Sequence, residues 1–293
     1  DSAFSPRLSA AWARPEAGLV IRGSFDRAFQ TPAVENLLLA SSEAAASLND
    51  TVVRLPVPAS RGNFYELGVS QLVARRARVD LSYFVRRMRD VADDDLLLNT
   101  GVSFPIAFAR ADIRGAEITL DLPPWRNVSG AIGYSHLRGV GELPVTGGLF
   151  LGEDAVERLA SRARFPVTQD QRHTIRGRVS YAWSRGGWLG AVWSYGSGLP
   201  FEEAGDDPEE AAAQFGPRIV SRVDYATGRV RANASLALSG GIVLAGGERR
   251  RLRLQAEVRN LTDRLDVINF AGLFSGTAVA APRSVALRLR ADF

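Results

Sequence analysis

Apolar and polar residues alternate with a period of two through most of this chain, the spacing that sends successive side chains to opposite faces of a β-strand. The segment 251–259 shows it plainly: Leu252, Leu254, Ala256 and Val258 share one face, and Arg251, Arg253, Gln255, Glu257 and Arg259 the other. Residues 284–293 repeat it, with Val285, Leu287, Leu289, Ala291 and Phe293 against Ser284, Arg288, Arg290 and Asp292. The same reading predicts strands over 5–14, 18–29, 63–74, 78–91, 102–122 (its phase disturbed near Gly115), 128–138, 174–183, 188–196 and 229–239. That makes about eleven strands, most of them near the ~9–11 residues that cross a bilayer at a tilt.

The connections sharpen the picture because they alternate between short and long. Residues 15–17, 75–77, 123–127, 185–187 and 245–248 are brief and carry Pro, Gly or Arg, as tight turns favour. Residues 30–62, 92–101, 139–170, 197–228 and 262–282 are long. A soluble sandwich has no reason to gather its short turns at one end and its long loops at the other; an outer-membrane barrel does. The expected fold is therefore all-β: an antiparallel up-and-down barrel segment with short periplasmic turns and long extracellular loops. Two loops carry helix starts, Asp207-Pro208-Glu209-Glu210 and Thr31-Pro32, each placing Pro at a first helical position. Aromatics such as Trp12, Phe25, Tyr65, Trp125 and Tyr195 fall near strand ends, where interfacial girdles use them.

Composition removes function classes. All 36 basic residues are Arg, against 32 acids and a net charge of +4; the Arg are spread rather than gathered in one stripe, so no nucleic-acid partner is expected. The absence of Lys excludes a Walker-type phosphate loop, a Schiff-base enzyme and a Ser-Lys dyad. With no Cys there is no thiol nucleophile, thiolate zinc site or disulfide framework. No apolar run approaches the ~18 residues of a spanning helix, so a membrane role requires strands. The chain opens directly on a strand-like segment, as expected of a piece of something longer.

Candidate chemistry is sparse. Asp93-Asp94-Asp95 offers clustered oxygen ligands for a divalent cation, but without the spaced pattern of a calcium loop, and solvated acids are the simpler reading. The rows Arg176, Arg178, Arg229, Arg231, Arg251, Arg253, Arg259, Arg288 and Arg290 would face a barrel interior and attract an anion, or pair with acids such as Glu257 and Asp292. His136 and His173, near opposite edges of one long loop, raise a hydrolase only if a nucleophile accompanies them, and no Gly-x-Ser-x-Gly does. No catalytic residue, metal ligand or cofactor is expected.

Several words of the sequence carry a resemblance. Residues 22–37, with Phe29-Gln30-Thr31-Pro32, the Glu66-Leu67-Gly68 step, Arg259-Asn260-Leu261-Thr262-Asp263-Arg264, and the closing run from Pro282-Arg283-Ser284 to Phe293 together resemble TonB-dependent receptor barrels. Gln30 stands where that family usually has Arg. The stretches 101–105, 146–150 and 195–200 resemble the subfamily with an N-terminal carboxypeptidase-regulatory-like domain.

The resemblance implies a barrel of about twenty-two strands around a plug. Residues 1–293 would then be its C-terminal portion, with the plug and first strands upstream. It also implies outer-membrane localisation in a Gram-negative bacterium and active uptake of a scarce metal chelate, vitamin or oligosaccharide. The implied partners are outer-membrane lipid, the chain's own plug and upstream strands, the TonB complex through that upstream region, and the barrel-assembly machinery through Phe293. A passive porin-like channel, a soluble β-rich binding module and an outer-membrane enzyme are the competing classes.

Overall fold

The structure, a computed structural model, describes residues 3–31, 52–93, 102–151, 163–183, 186–201, 208–246, 251–272 and 276–292. In chain order its elements are β1 (Arg7–Arg14), β2 (Leu19–Gln30), β3 (Val52–Leu55), β4 (Ser60–Val73), β5 (Ala77–Asp93), β6 (Val102–Trp125), β7 (Val128–Leu151), β8 (Arg164–Pro166), β9 (His173–Trp183) and β10 (Gly187–Gly196). After them come helices α1 (Pro208–Phe215) and α2 (Pro217–Val220), then β11 (Val223–Asp224), β12 (Arg229–Val230), β13 (Asn233–Gly246), β14 (Arg251–Arg259), β15 (Val267–Gly272), β16 (Gly276–Val279) and β17 (Ser284–Asp292). Eleven strands form one path, β1-β2-β4-β5-β6-β7-β9-β10-β13-β14-β17. Each pairs antiparallel with the next, as in Phe25↔Tyr65 and Ser82↔Glu117. This is the antiparallel meander that the alternation predicts.

Register then assigns faces. Because directly paired residues project to the same side, one face collects Ser24, Glu66, Ser82, Glu117, Ser135 and Thr174. The other collects Leu8, Leu67, Leu81, Ile118, Leu189 and Leu287. The aliphatic face is exposed, with Leu8 at 68%, Leu189 at 59% and Leu287 at 73% of full accessibility. So continuous an apolar surface is unfavourable in water and suited to hydrocarbon. The polar face lines the lumen.

The turns at one end are short. Arg126 and Asn127 both take positive φ, 48° and 78°, the two-residue hairpin that matches strand twist. Beside it, Trp125 meets the guanidinium groups of Arg76 and Arg126 at 4.9 and 5.1 Å from its ring centre. This anchors the periplasmic rim with an aromatic ring and paired cations.

At the other end the strands outrun the prediction. β6 and β7 are 24 residues each; β6 starts at Val102 as expected, whereas β7 continues past residue 138 to Leu151, into the stretch 139–170 expected to be loop. Alternation is hidden there by Gly139, Gly141 and Gly147, whose role is steric. A side chain at Gly139 would meet Val167 at 2.3 Å, and one at Gly147 the backbone of Val57 at 2.7 Å. β3 and β8 add to β7, and Val57, Ala107, Phe108, Ala111 and Val145 are buried, with Phe108 edge-on to Phe165 at 5.2 Å. The strand expected over 229–239 is also redrawn: β12 pairs with β11, and the wall strand starts at Asn233.

Candidate functional site

On the lumen face, charged side chains meet across neighbouring strands. Arg22 lies across Gly68, where an added Cβ would fall 2.7 Å from its guanidinium carbon. It reaches Glu66 at 3.8 Å and donates to Ser70 Oγ at 3.0 Å. The Glu-x-Gly step thus has a physical role: the carboxylate pairs with the arginine and the glycine makes room for it. Arg7 pairs with Asp26 at 3.2 Å, Arg78 with Asp80 at 2.7 Å, and Ser70 bonds Asp80. Between them lies a concavity of about 720 Å³ lined by Arg22, Asp26, Glu66, Arg86 and Glu117. This is a charged wall of mixed sign, suited to contact a polar body rather than to bind an apolar ligand.

The predicted arginine rows divide. Arg176 and Arg178 point into the lumen and are exposed, and Arg259 pairs with Glu257 at 2.6 Å, as the charge pattern suggests. Arg229 and Arg231 do not lie on the wall. Arg229 belongs to β12 and binds Asp170, 2.5 Å between Nη2 and Oδ2; Arg231 precedes β13. The side chains of Arg251 and Asp292 lie outside the described ones. So do Asp94 and Asp95 of the acidic run and Phe293, the residue expected to act as an assembly signal.

The outer loops are organised by two buried acids. Asp170 is fully buried and accepts from Arg229, from Arg172 at 3.0 Å and from the Gly139 amide at 3.0 Å. Asp266 accepts from Arg222 at 2.8 Å, from Arg264 at 2.9 Å and from the Ala234 amide at 2.9 Å. Sequence reasoning finds neither, since neither lies in a motif. Around the second, Val223, Val230, Val267 and Phe270 form a core with α1 residue Ala211. Tyr225 packs edge-on to Phe201 at 5.4 Å, and burial raises its phenol above its ordinary pKa. The helix start at Pro208 is present; that at Thr31-Pro32 falls outside the described residues.

Asn260 explains a second motif word. It closes β14 with a positive φ of 48°, its side-chain Oδ1 accepts from the Arg264 backbone amide at 3.2 Å, and its side-chain Nδ2 donates to Ala281 O at 3.1 Å. Asp263 accepts from the Arg283 amide at 3.0 Å. These bonds tie the start of the last long connection to its end.

His136 and His173 do come together, as paired residues on β7 and β9, with ring centres 5.2 Å apart. They lie on the lipid-facing side in register with Tyr134, whose hydroxyl is 2.9 Å from His173 Nδ1. No carboxylate or nucleophile among the described residues completes a catalytic set there, and among them no group of three metal-ligating side chains occurs.

A polar lumen, an apolar outer face, rim turns and folded outer loops define a strand-built membrane wall. Residues 1–261 match the model of the TonB dependent receptor-like β-barrel family, and the chain belongs to that family. Its strands are those of a barrel of the Gram-negative outer membrane, in a family of receptors rather than enzymes. No curated protein matches the sequence. Solved structures share the fold. The ferric-catecholate import receptor Fiu of E. coli K12 is 15% identical at TM-score 0.60, over 97% of this chain and 34% of its own. The ferripyoverdine receptor of Pseudomonas aeruginosa is 15% identical at TM-score 0.62, over 99% and 33%. The FrpB iron transporter of Neisseria meningitidis is 14% identical at TM-score 0.60, over 98% and 36%. The chain thus spans about a third of the length of these receptors.

Proposed function

We propose that this chain forms the lumen wall and outer loops of an active importer, as the C-terminal portion of a receptor barrel. A plug and the first strands would be encoded upstream. The observation that carries this reading is the eleven-strand meander with a charged inner face, set beside receptors about three times its length. No chemistry on the substrate is required. The outer loops capture a scarce ligand, a plug resting on the polar wall moves when pulled from the periplasm through the TonB complex, and the lumen passes the ligand inward. The three solved structures named above are receptors or transporters of ferric chelates or iron by their own names, and a copper transporter shares the fold as well; a ferric chelate is therefore the first substrate class to test. Phe293 would present the C-terminal signal to the barrel-assembly machinery.

The test is uptake of radio-iron as ferric catecholate, ferric citrate or ferripyoverdine by cells whose own receptors are deleted and which express the intact receptor. Uptake of one chelate that stops when the TonB complex is removed is the expected result. Uptake that persists without it would mean a passive channel. Deletion of Phe293 should lower the folded receptor recovered from outer membranes; an unchanged yield would remove that residue's role.

A further inference from the structure

His136 and His173 are the only histidines in the sequence. The segment 137–172 separates them, yet they are direct partners across β7 and β9. The bonding of the two strands brings them as close as a sheet allows. The Leu137 N–H donates to Arg172 O at 3.2 Å, one position further along. Both backbone groups of His173 turn the other way: its N–H donates to Ser197 Oγ at 3.0 Å, and its carbonyl accepts from the Ser197 N–H at 2.9 Å. The histidines are therefore a non-hydrogen-bonded pair, the kind whose side chains approach most closely.

Their ring centres lie 5.2 Å apart. Two imidazoles that share one tetrahedral ion stand at a similar spacing, about 5 Å, because each metal–nitrogen bond is about 2 Å long. His173 is exposed and His136 half-buried, and His136 has only the small Ala116 beside it on β6. The Tyr134 hydroxyl is 2.9 Å from His173 Nδ1, and its ring stacks on the imidazole with 19° between the planes. With Nδ1–H donating to that hydroxyl oxygen, the Nε2 lone pair is the one left for a metal. Outer partners of this kind fix the tautomer and the ring orientation of ligating histidines.

We propose that His136 and His173 hold a borderline divalent transition ion, Zn²⁺ or Cu²⁺, with Tyr134 as a positioning residue. Imidazole nitrogen suits these ions, whereas Mg²⁺ and Ca²⁺ require oxygen ligands. Two protein ligands leave the other positions to water or a small anion, and the positive charge of Arg138, next on the same face of β7, favours the anion. The ion clips together the two ends of the segment 137–172, a closure that stabilises a long excursion by limiting its freedom when open. Asp170 anchors the same segment from within, through Arg229 and the Gly139 amide. The proposal does not depend on which ligand the receptor imports.

The test uses the intact receptor, purified in detergent without a polyhistidine tag and titrated calorimetrically with Zn²⁺, Cu²⁺ and Mg²⁺. Unmodified receptor should bind one more Zn²⁺ per chain than H136A or H173A, each of which weakens the site by more than about a hundredfold. Cu²⁺ should bind there more tightly than Zn²⁺, and Mg²⁺ should not compete. Y134F should weaken the site roughly tenfold while the Cu²⁺ electron paramagnetic resonance spectrum still shows two imidazole nitrogens. Zn²⁺ should also slow hydrogen exchange over 137–145 and 164–172 in the unmodified receptor and not in H136A. Unchanged Zn²⁺ stoichiometry and affinity in both alanine variants, a Cu²⁺ spectrum with a single imidazole, or equal binding of Mg²⁺ would overturn the proposal. H136Q and H173Q, which keep a polar side chain but no imidazole, carry the same test where an alanine variant does not fold.

Discussion

The wall and the outer loops meet the same demand, that no buried backbone polar group go unpaired, by opposite means. In the wall each strand pairs with its neighbour along a register broken only at bulges in β6–β7 and β13–β14, and large aliphatics stand exposed, Leu287 at 73%. In the loops the backbone is irregular, and a soluble-protein core takes over: Phe270 and Asp170 are fully buried, Val230 and Val267 nearly so. The wall therefore draws stability from repetition and its solvent, the loops from particular side chains. A substitution should consequently have regional effects that its burial alone does not foretell.

The largest effect should come from the loops. Asp170→Ala leaves Arg229 and Arg172, whose side chains are 18% and 33% exposed, without their carboxylate and the Gly139 amide without its acceptor. Breaking a buried ion pair costs about 3–5 kcal/mol. Hydrogen exchange should accelerate around 163–170 and 228–231 while the wall amides stay protected. If wall and loops open together, they form one cooperative unit and the contrast fails.

Next comes the wall. Leu81→Arg puts a charge on the lipid-facing side, which costs about 2–4 kcal/mol near the bilayer midplane. Ser82→Arg, one residue along on the lumen face, should cost far less. Urea-dependent refolding of the intact receptor into vesicles measures both, and equal costs would show that the faces are misassigned.

The wall is legible in the sequence because its chemistry repeats. A period of two through 251–259 or 174–183 survives any one exception, and the register of β9 and β14 follows it. The loops are not, because their order rests on single contacts between distant segments: Asp170 with Arg229, Asp266 with Arg222. The full length of the β6–β7 hairpin is hidden for a related reason. Gly139, Gly141 and Gly147 interrupt the alternation where β3, β8 and the segments beside them pack closely, so the signal fades where tertiary contact is densest. Arg229 reads as a wall residue because Val230 is apolar and in phase with β13, yet Val230 is buried in the loop core instead.

Asn260 sits at the junction of the two regions, ending a wall strand and starting a loop. Asn260→Ala removes the bonds to Arg264 and Ala281 and leaves a side chain at positive φ without the local bonding that favours Asn there. The expected loss is about 2 kcal/mol, read as faster hydrogen exchange over 260–264 and 281–283. Asn260→Gly relieves the backbone but not the lost bonds, and should fall between.

The smallest effect tests the rim, where the wall behaves most like a loop. Trp125 is 42% exposed, so its contribution comes less from burial than from the two guanidinium groups against its ring. Replacing it with Leu keeps an apolar residue at the interface and removes the ring face. Each exposed cation–π contact is worth about 0.5–1 kcal/mol, so Trp125→Leu should lower refolding stability by about 1 kcal/mol. The companion changes Arg76→Gln and Arg126→Gln should each reproduce part of that loss, and once Trp125→Leu is in place neither should matter further. Additive losses in that double-mutant cycle would mean that Trp125 acts through lipid contact alone, and the rim would then belong with the wall.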